Sequence, residues 1–96
     1  MACVSSQNAN SLFVPTISRY AYRVAMDFVE YKLLLGAHLQ SIRRSRGLTQ
    51  EQVAEYLHMD RVSIGYIEQG KRAPKLSTLY ALSECYDVEM RDIFRF

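Results

Sequence analysis

A short stretch between residues 60 and 74, DRVSIGYIEQGKRAP, combines side chains that rarely share one helix. On a helical wheel at about 100° per residue, Ile64 and Ile67 lie on one side. The opposite side and its flanks carry small, β-branched, phenolic, hydroxyl and guanidinium groups, from Arg61, Val62, Ser63, Gly65 and Tyr66. Because a solvated helix face normally carries charged and polar residues such as Glu and Lys, this face is predicted to contact another molecule.

Two kinds of partner fit that face. In the major groove of DNA, Gly65 would allow close approach, Val62 could contact a thymine methyl group, and Arg61 could reach guanine or phosphate. In the alternative, the helix packs against a neighbouring protein, with Gly65 at a close helix crossing. The residues of this stretch leave both interpretations open.

Charge and length narrow the class of protein. The chain has 96 residues, of which 49% are hydrophobic, and this fits a single domain. Residues 36–75 hold seven Lys/Arg against four Asp/Glu, whereas residues 76–96 hold two against four. A basic centre favours a polyanionic partner, although a surplus of this size is also ordinary on a solvated surface.

Catalysis and secretion are both disfavoured by the residue types. Cys3 and Cys85 lie far apart, and neither has a neighbour at metal-ligand spacing. His38 and His58 belong to no nucleophile or metal motif, so we expect no catalytic residue, no metal and no cofactor. The polar start lacks a secretory signal, and no apolar run is long enough for a membrane span. A soluble protein of the cytoplasm is expected.

Apolar spacing then places the first helices. Residues 1–15 include a run rich in Ser, Asn and Gln and are expected to be disordered. Beyond a candidate cap at Thr16, apolar residues recur every three or four positions, which predicts a helix over residues 17–33. A second stripe leads to Gly47, which is suited to the left-handed conformation that ends a helix. Whether the two segments break near Gly36 or run on is left open.

The second half of the sequence has clearer signals for the N-termini of helices. Thr49 and Gln52 have the spacing of a capping box, which predicts a helix over residues 50–57. A three-residue turn follows, and Asp60 is predicted to cap a helix over residues 61–69.

Two further helices are predicted after Gly70, which ends the helix before it. Ser77 is expected to cap the segment TLYALSECY, and VEMRDIF is expected to form a final turn or two. Strand alternation and hairpin signals are missing from the sequence, so an all-α fold is predicted.

Several motifs at consistent spacing resemble the phage-repressor type of helix-turn-helix domain, the Cro/CI or Xre family. They are GLTQEQVA, the pair Ile64 and Ile67, IEQGKRAP and the closing IF, between Leu35 and Phe94. The resemblance implies a five-helix, lambda-repressor-like domain over residues 34–96, with residues 16–33 as an additional N-terminal helix. Its third helix, residues 61–69, is then expected to lie in the major groove.

The resemblance also implies roles for individual positions. Base or groove contacts are expected from Arg61, Val62, Ser63, Gly65 and Tyr66. Phosphate contacts are expected from Gln50, Arg44, Arg46, Lys71, Arg72 and Lys75, and Gln50 is also expected to brace the recognition helix. Arg43 and Glu68 match a salt bridge between the first and third helices, and are expected to be structural.

Two departures from the family pattern bear on these roles. His58 occupies a turn position where glycine is frequent, so the turn must accept a left-handed or nearby conformation at a residue with a side chain. Val62 and Gly65 replace longer polar side chains, so base contacts are expected to be sparse and supported by DNA shape.

The function implied is a double-stranded-DNA-binding transcriptional regulator, a repressor or autoregulator, acting as a homodimer. Two alternatives stay open at this point. One is an antitoxin that binds its promoter and a toxin, and the other is an adaptor that uses the same fold to bind protein.

Overall fold

The computed structural model describes residues 27–96, and the calls for disorder over residues 1–15 and for a helix before residue 27 lie outside them. Within the described residues the chain is helical and has no strand, which confirms the all-α class. None of these helices is long and apolar enough to cross a lipid bilayer. The five helices are α1 (Phe28–Ser45), α2 (Gln50–Leu57), α3 (Arg61–Glu68), α4 (Leu76–Tyr86) and α5 (Met90–Ile93).

Helix α1 does not have the boundaries that the sequence predicted. Asp27 has an extended backbone and forms a capping box with Glu30, whose amide donates to the Asp27 Oδ1 at 2.9 Å. At Asp27 the prediction of a helix over residues 17–33 is wrong, because this residue is extended and caps α1. The part of that prediction before residue 27 lies outside the described residues. α1 passes through Gly36 without a break, and Gly47 follows it with the expected left-handed backbone (φ 71°).

A tight turn joins the capped helices α2 and α3. Gln52 donates its amide to Thr49 Oγ1 at 3.1 Å, and Thr49 donates its amide to Gln52 Oε1 at 2.9 Å, so the predicted capping box is confirmed. His58 ends α2 in the left-handed conformation (φ 57°, ψ 43°). Asp60 Oδ1 then accepts from the Ser63 amide at 2.7 Å and starts α3, as predicted.

Helix α4 begins earlier than predicted. Ser77 lies inside the helix, and the N-cap position is Lys75, which makes no side-chain capping bond. The Leu79 amide donates to the Lys75 carbonyl at 2.9 Å, so the backbone ladder starts there. Leu79 and Leu82 are buried, which indicates that packing of the apolar face rather than a cap holds the start of α4 in place.

The apolar faces of all five helices meet in one core. Its buried residues are Leu35, Leu39, Val53, Ala54, Ile64, Ile67, Leu79, Leu82, Tyr86 and Ile93. Helix α3 is thereby held against α1 and α2, and its outer side is exposed.

Helix α1 crosses α3 at backbone distance, and Gly36 makes this possible. A methyl group built at Gly36 would lie 2.6 Å from the Glu68 carbonyl oxygen, and it would also meet the Ile67 carbonyl oxygen. A carbon atom cannot occupy that space, so α1 and α3 touch only because this residue has no side chain. Within the chain, the close crossing of α1 and α3 is therefore at Gly36.

Candidate DNA interface

The two sides of α3 differ as the helical wheel predicts. Ile64 and Ile67 are buried in the core at 2% and 4% exposure, whereas Val62 and Tyr66 are 48% and 38% exposed. Arg61, at the first position of α3, is also exposed. The outer side therefore offers a guanidinium, two methyl groups and a phenol, which are groups that can contact base edges in a major groove.

Gly65 does not lie on the open surface, contrary to expectation. It is buried, and a methyl group built there would lie 3.8 Å from both Gln50 Oε1 and Gln69 Nε2. The side-chain amides of these two glutamines therefore lie beside Gly65. Gly65 is therefore less accessible than the sequence predicted, and its contact with the groove stays a prediction.

A buried ion pair fastens α3 to α1. Arg43 Nε donates to Glu68 Oε2 at 2.7 Å, and Arg43 Nη2 donates to Glu68 Oε1 at 3.1 Å. Arg43 Nη1 also donates to the Leu48 carbonyl at 2.7 Å. The hydrogen bond to Glu68 raises the pKa of Arg43 above its ordinary value. Removing either partner would leave a buried charge without compensation.

Gln50 connects this ion pair to the outer side of α3. Its Nε2 donates to Glu68 Oε1 at 2.9 Å, and its Oε1 accepts from Arg61 Nη1 at 3.0 Å. The first residue of α2 is therefore bonded to both ends of α3. These bonds are the kind of bracing that the resemblance implied for Gln50, and its contact with phosphate stays a prediction.

The loop after α3 folds back against the same side. The Lys71 and Arg72 amides donate to the Tyr66 carbonyl at 2.9 and 3.3 Å. Lys71 Nζ and Arg72 Cζ lie 5.8 and 5.4 Å from the centre of the Tyr66 ring, within cation–π range. Arg72 Nη1 also donates to Ser63 Oγ at 3.0 Å. Two of the side chains expected to contact phosphate thus lie beside those expected to contact bases.

The other basic residues of the expected set are more scattered. Lys75 is exposed at the N-cap of α4, and Arg44 is exposed in the last turn of α1. Arg46 Nη2 donates to the Asp87 carbonyl at 3.3 Å, in the turn that follows α4. That bond ties Arg46 to the end of α4 rather than to α2 or α3.

Sequence reasoning did not identify Gln40 as part of this site. Its Nε2 donates to Glu68 Oε1 at 3.4 Å, on the same oxygen that Gln50 reaches from α2. Gln40 precedes Arg43 by three residues, a spacing that places both side chains on one face of a helix. That spacing is the signal from which the sequence could have suggested it.

The arrangement defines a helix-turn-helix protein, with α2 and α3 joined by the turn at His58. The helix-turn-helix family (HTH_3) matches residues 39–93, more than half of the chain, and the chain belongs to this family. The resemblance drawn from the sequence motifs is thereby confirmed.

Individual proteins show the same relationship. The chain is 36% identical over 55 residues to the HTH-type transcriptional activator BcrR of Enterococcus faecalis, a match that covers 57% of this chain and 27% of BcrR. It is 33% identical over 63 residues to the control protein C.SmaI of Serratia marcescens, covering 66% of this chain and 75% of C.SmaI. The chain therefore spans well under two thirds of the length of BcrR.

A solved structure supports the fold directly. The crystal structure of the restriction-modification controller protein C.AhdI from Aeromonas hydrophila matches with a TM-score of 0.62 at 32% sequence identity. The match covers 65% of this chain and 94% of C.AhdI.

Proposed function

We propose that this chain is a sequence-specific, double-stranded-DNA-binding transcriptional regulator that places α3 in the major groove. The observation that carries the proposal is the two-sidedness of α3, whose apolar side is buried while Arg61, Val62 and Tyr66 face outward. Membership of the helix-turn-helix family supports it, and so does the similarity to a named transcriptional activator. The proposed activity is binding, without catalysis and without a cofactor.

In this proposal the contacts divide into two groups. Arg61 and Tyr66 contact bases, with Ser63 beside them, and Val62 contacts a thymine methyl group. Phosphate contacts come from the set that the resemblance implies, which is Gln50, Arg44, Arg46, Lys71, Arg72 and Lys75. The phosphate group positions the protein on any duplex, whereas the base group selects the sequence.

We also propose that the protein acts as a homodimer in the cytoplasm, where DNA is accessible to it. Two copies would read two half-sites about one helical turn apart. Exposed apolar side chains support association: Phe28 and Val29 lie at the start of α1, and Phe94 and Phe96 lie near the last residue described.

Selection of bound duplexes from a random DNA library tests the proposal, followed by titration of the selected operator. Arg61→Ala is expected to weaken operator binding by about 1–3 kcal/mol, because one base contact is lost. Arg91→Ala is the matched control, since Arg91 is a solvent-exposed arginine on α5 paired with Glu89 at 2.7 Å. Failure to retain any duplex at low salt would overturn the proposal and favour a protein-binding adaptor.

Lys71→Ala tests the phosphate contacts separately. It is expected to weaken binding to all duplexes to a similar degree. The number of counterions released on binding, measured from the salt dependence of the affinity, is expected to fall by about one. Selective loss of preference at one operator position would contradict this role and would place Lys71 among the base contacts.

A further inference from the structure

The Glu68 carboxylate is the central acceptor of the hydrogen bonds behind the exposed face. Its Oε1 accepts from Gln40, Arg43 and Gln50, and its Oε2 accepts from Arg43. The residue is 6% exposed, so these protein donors take the place of water. An ionised carboxylate can only accept hydrogen bonds, and it therefore dictates which atoms its neighbours turn toward it.

Gln50 stands between a group that can only accept and a group that can only donate. Glu68 lies on one side of its amide and the guanidinium of Arg61 lies on the other. An arginine guanidinium has five N–H donors and no acceptor. Only one orientation of the Gln50 amide satisfies both neighbours, with nitrogen toward Glu68 and oxygen toward Arg61. The buried carboxylate thereby determines that an acceptor faces Arg61.

We propose that Glu68 is a positioning residue for Arg61, acting through Gln50, and that the buried ion pair therefore contributes to DNA reading as well as to stability. The inference rests on the proposed function, in which Arg61 contacts DNA. The expectation that Arg43 and Glu68 act only in holding the fold is thereby extended.

Preorganisation is the physical benefit of this arrangement. An exposed arginine loses considerable side-chain freedom when it is fixed on a ligand. A hydrogen bond that already restricts the Arg61 guanidinium in the unbound protein reduces the entropy lost on binding. Gln50 is itself held from the buried side, so the restriction derives from the core and not from another mobile surface residue.

The first test observes Arg61 without DNA, by NMR of its guanidinium Nε and Nη groups in the full chain. In the wild type, the bond to Gln50 is expected to slow rotation of the guanidinium and to give distinct Nη signals. In the Glu68→Gln and Gln50→Met variants, faster rotation of the guanidinium should average these signals. Gln40→Met is the matched control, because it removes another donor to the same Glu68 oxygen without touching Gln50 or Arg61, and it should leave the Arg61 signals unchanged.

The second test is a double-mutant cycle on operator affinity, at a temperature where all variants are folded. Glu68→Gln should weaken binding about three- to tenfold in the wild type, but less than about twofold in an Arg61→Ala background. Gln50→Met should also lose more in the wild type than in the Arg61→Ala background, where only its proposed phosphate contact remains to be lost. If Glu68→Gln does not fold, Gln50→Met serves instead, since it leaves the Arg43–Glu68 pair intact.

The outcomes separate this inference from the function on which it rests. Arg61 signals that are unchanged in both Glu68→Gln and Gln50→Met overturn the positioning role. Losses in Glu68→Gln and Gln50→Met that both simply add to that of Arg61→Ala also overturn it, because neither residue would then be coupled to Arg61. If Arg61→Ala leaves operator affinity unchanged, the proposed base contact is wrong, and the NMR signals still decide whether Glu68 positions Arg61.

Discussion

At the scale of single residues, Gly65 lies in the middle of α3, where glycine weakens a helix. The space around it does not require a residue without a side chain. Its neighbours Gln50 and Gln69 would meet an added methyl group at 3.8 Å, an ordinary van der Waals distance. Its backbone is not left-handed, unlike those of Gly47 and Gly70.

Gly65→Ala is therefore expected to stabilise the protein by about 1 kcal/mol, because glycine costs roughly that much in a helix interior. Thermal unfolding should show a melting temperature higher by about 4–8 °C. A lower melting temperature would show that Gln50 and Gln69 cannot adjust to the methyl group. Operator affinity of the same variant tests whether DNA approaches Gly65 in the complex.

At the scale of helices, the α1–α3 crossing depends on Gly36. Gly36→Ala is expected to destabilise the protein by about 1–3 kcal/mol, since the added carbon would force the two backbones apart. Chemical denaturation measures the loss, and Gly65→Ala is the matched control because the same substitution in α3 should act in the opposite direction. A more stable Gly36→Ala protein would contradict the close crossing.

The stability of the start of α3 is expected to decrease in acid because its capping residue, Asp60, titrates. The backbone hydrogen bond from Ser63 lowers the pKa of Asp60 below its ordinary value of 3.8. A group whose pKa is lower in the folded state stabilises the fold above its ordinary pKa and loses that effect as the pH falls through the lowered value. The contribution of the Asp60 carboxylate is therefore full near neutrality and lost in acid.

Between about pH 5 and pH 2, the melting temperature of Asp60→Ser should fall less than that of the wild type, because serine keeps a capping oxygen that does not titrate. Glu55→Gln controls for the change in net charge, since it removes an exposed carboxylate that is not a cap. Equal acid sensitivity in Asp60→Ser and the wild type would show that the cap does not govern this response.

At the scale of the whole molecule, we propose that residues before Asp27 take part in the dimer together with the exposed apolar side chains named above. Removing residues 1–33 would cut into α1 and delete Leu33, which lies against Gly70. The informative truncation removes residues 1–26 and keeps the Asp27 cap. It is expected to leave a folded helical protein that sediments as a monomer and binds operator more weakly than the full chain.

Sedimentation velocity and operator titration measure both effects. A truncated protein that still sediments as a dimer would assign the interface to exposed residues of the described part, such as Phe28 or Phe94. One that unfolds would instead make residues 1–26 part of the fold of each monomer.

The sequence by itself determined the parts of this protein that depend on near neighbours. The capping box of Thr49 and Gln52, the cap at Asp60 and the left-handed Gly47 each involve residues within a few positions of one another. The division of α3 into a buried and an exposed side follows from helical periodicity, which is also a local property. Family motifs at regular spacing then supplied the fold class.

Only the tertiary structure decided the features that join distant segments. Gln50 meets Glu68 across 18 positions, and Gln40 meets it across 28. Local spacing could place Gln40 beside Arg43, but it could not reveal that Gln40 and Gln50 share one carboxylate. Gly36 and Gly65 looked alike as helix-weakening residues, yet only Gly36 has another helix backbone against it. Local spacing sets which face a side chain occupies, whereas burial depends on which segment of the chain packs over that face.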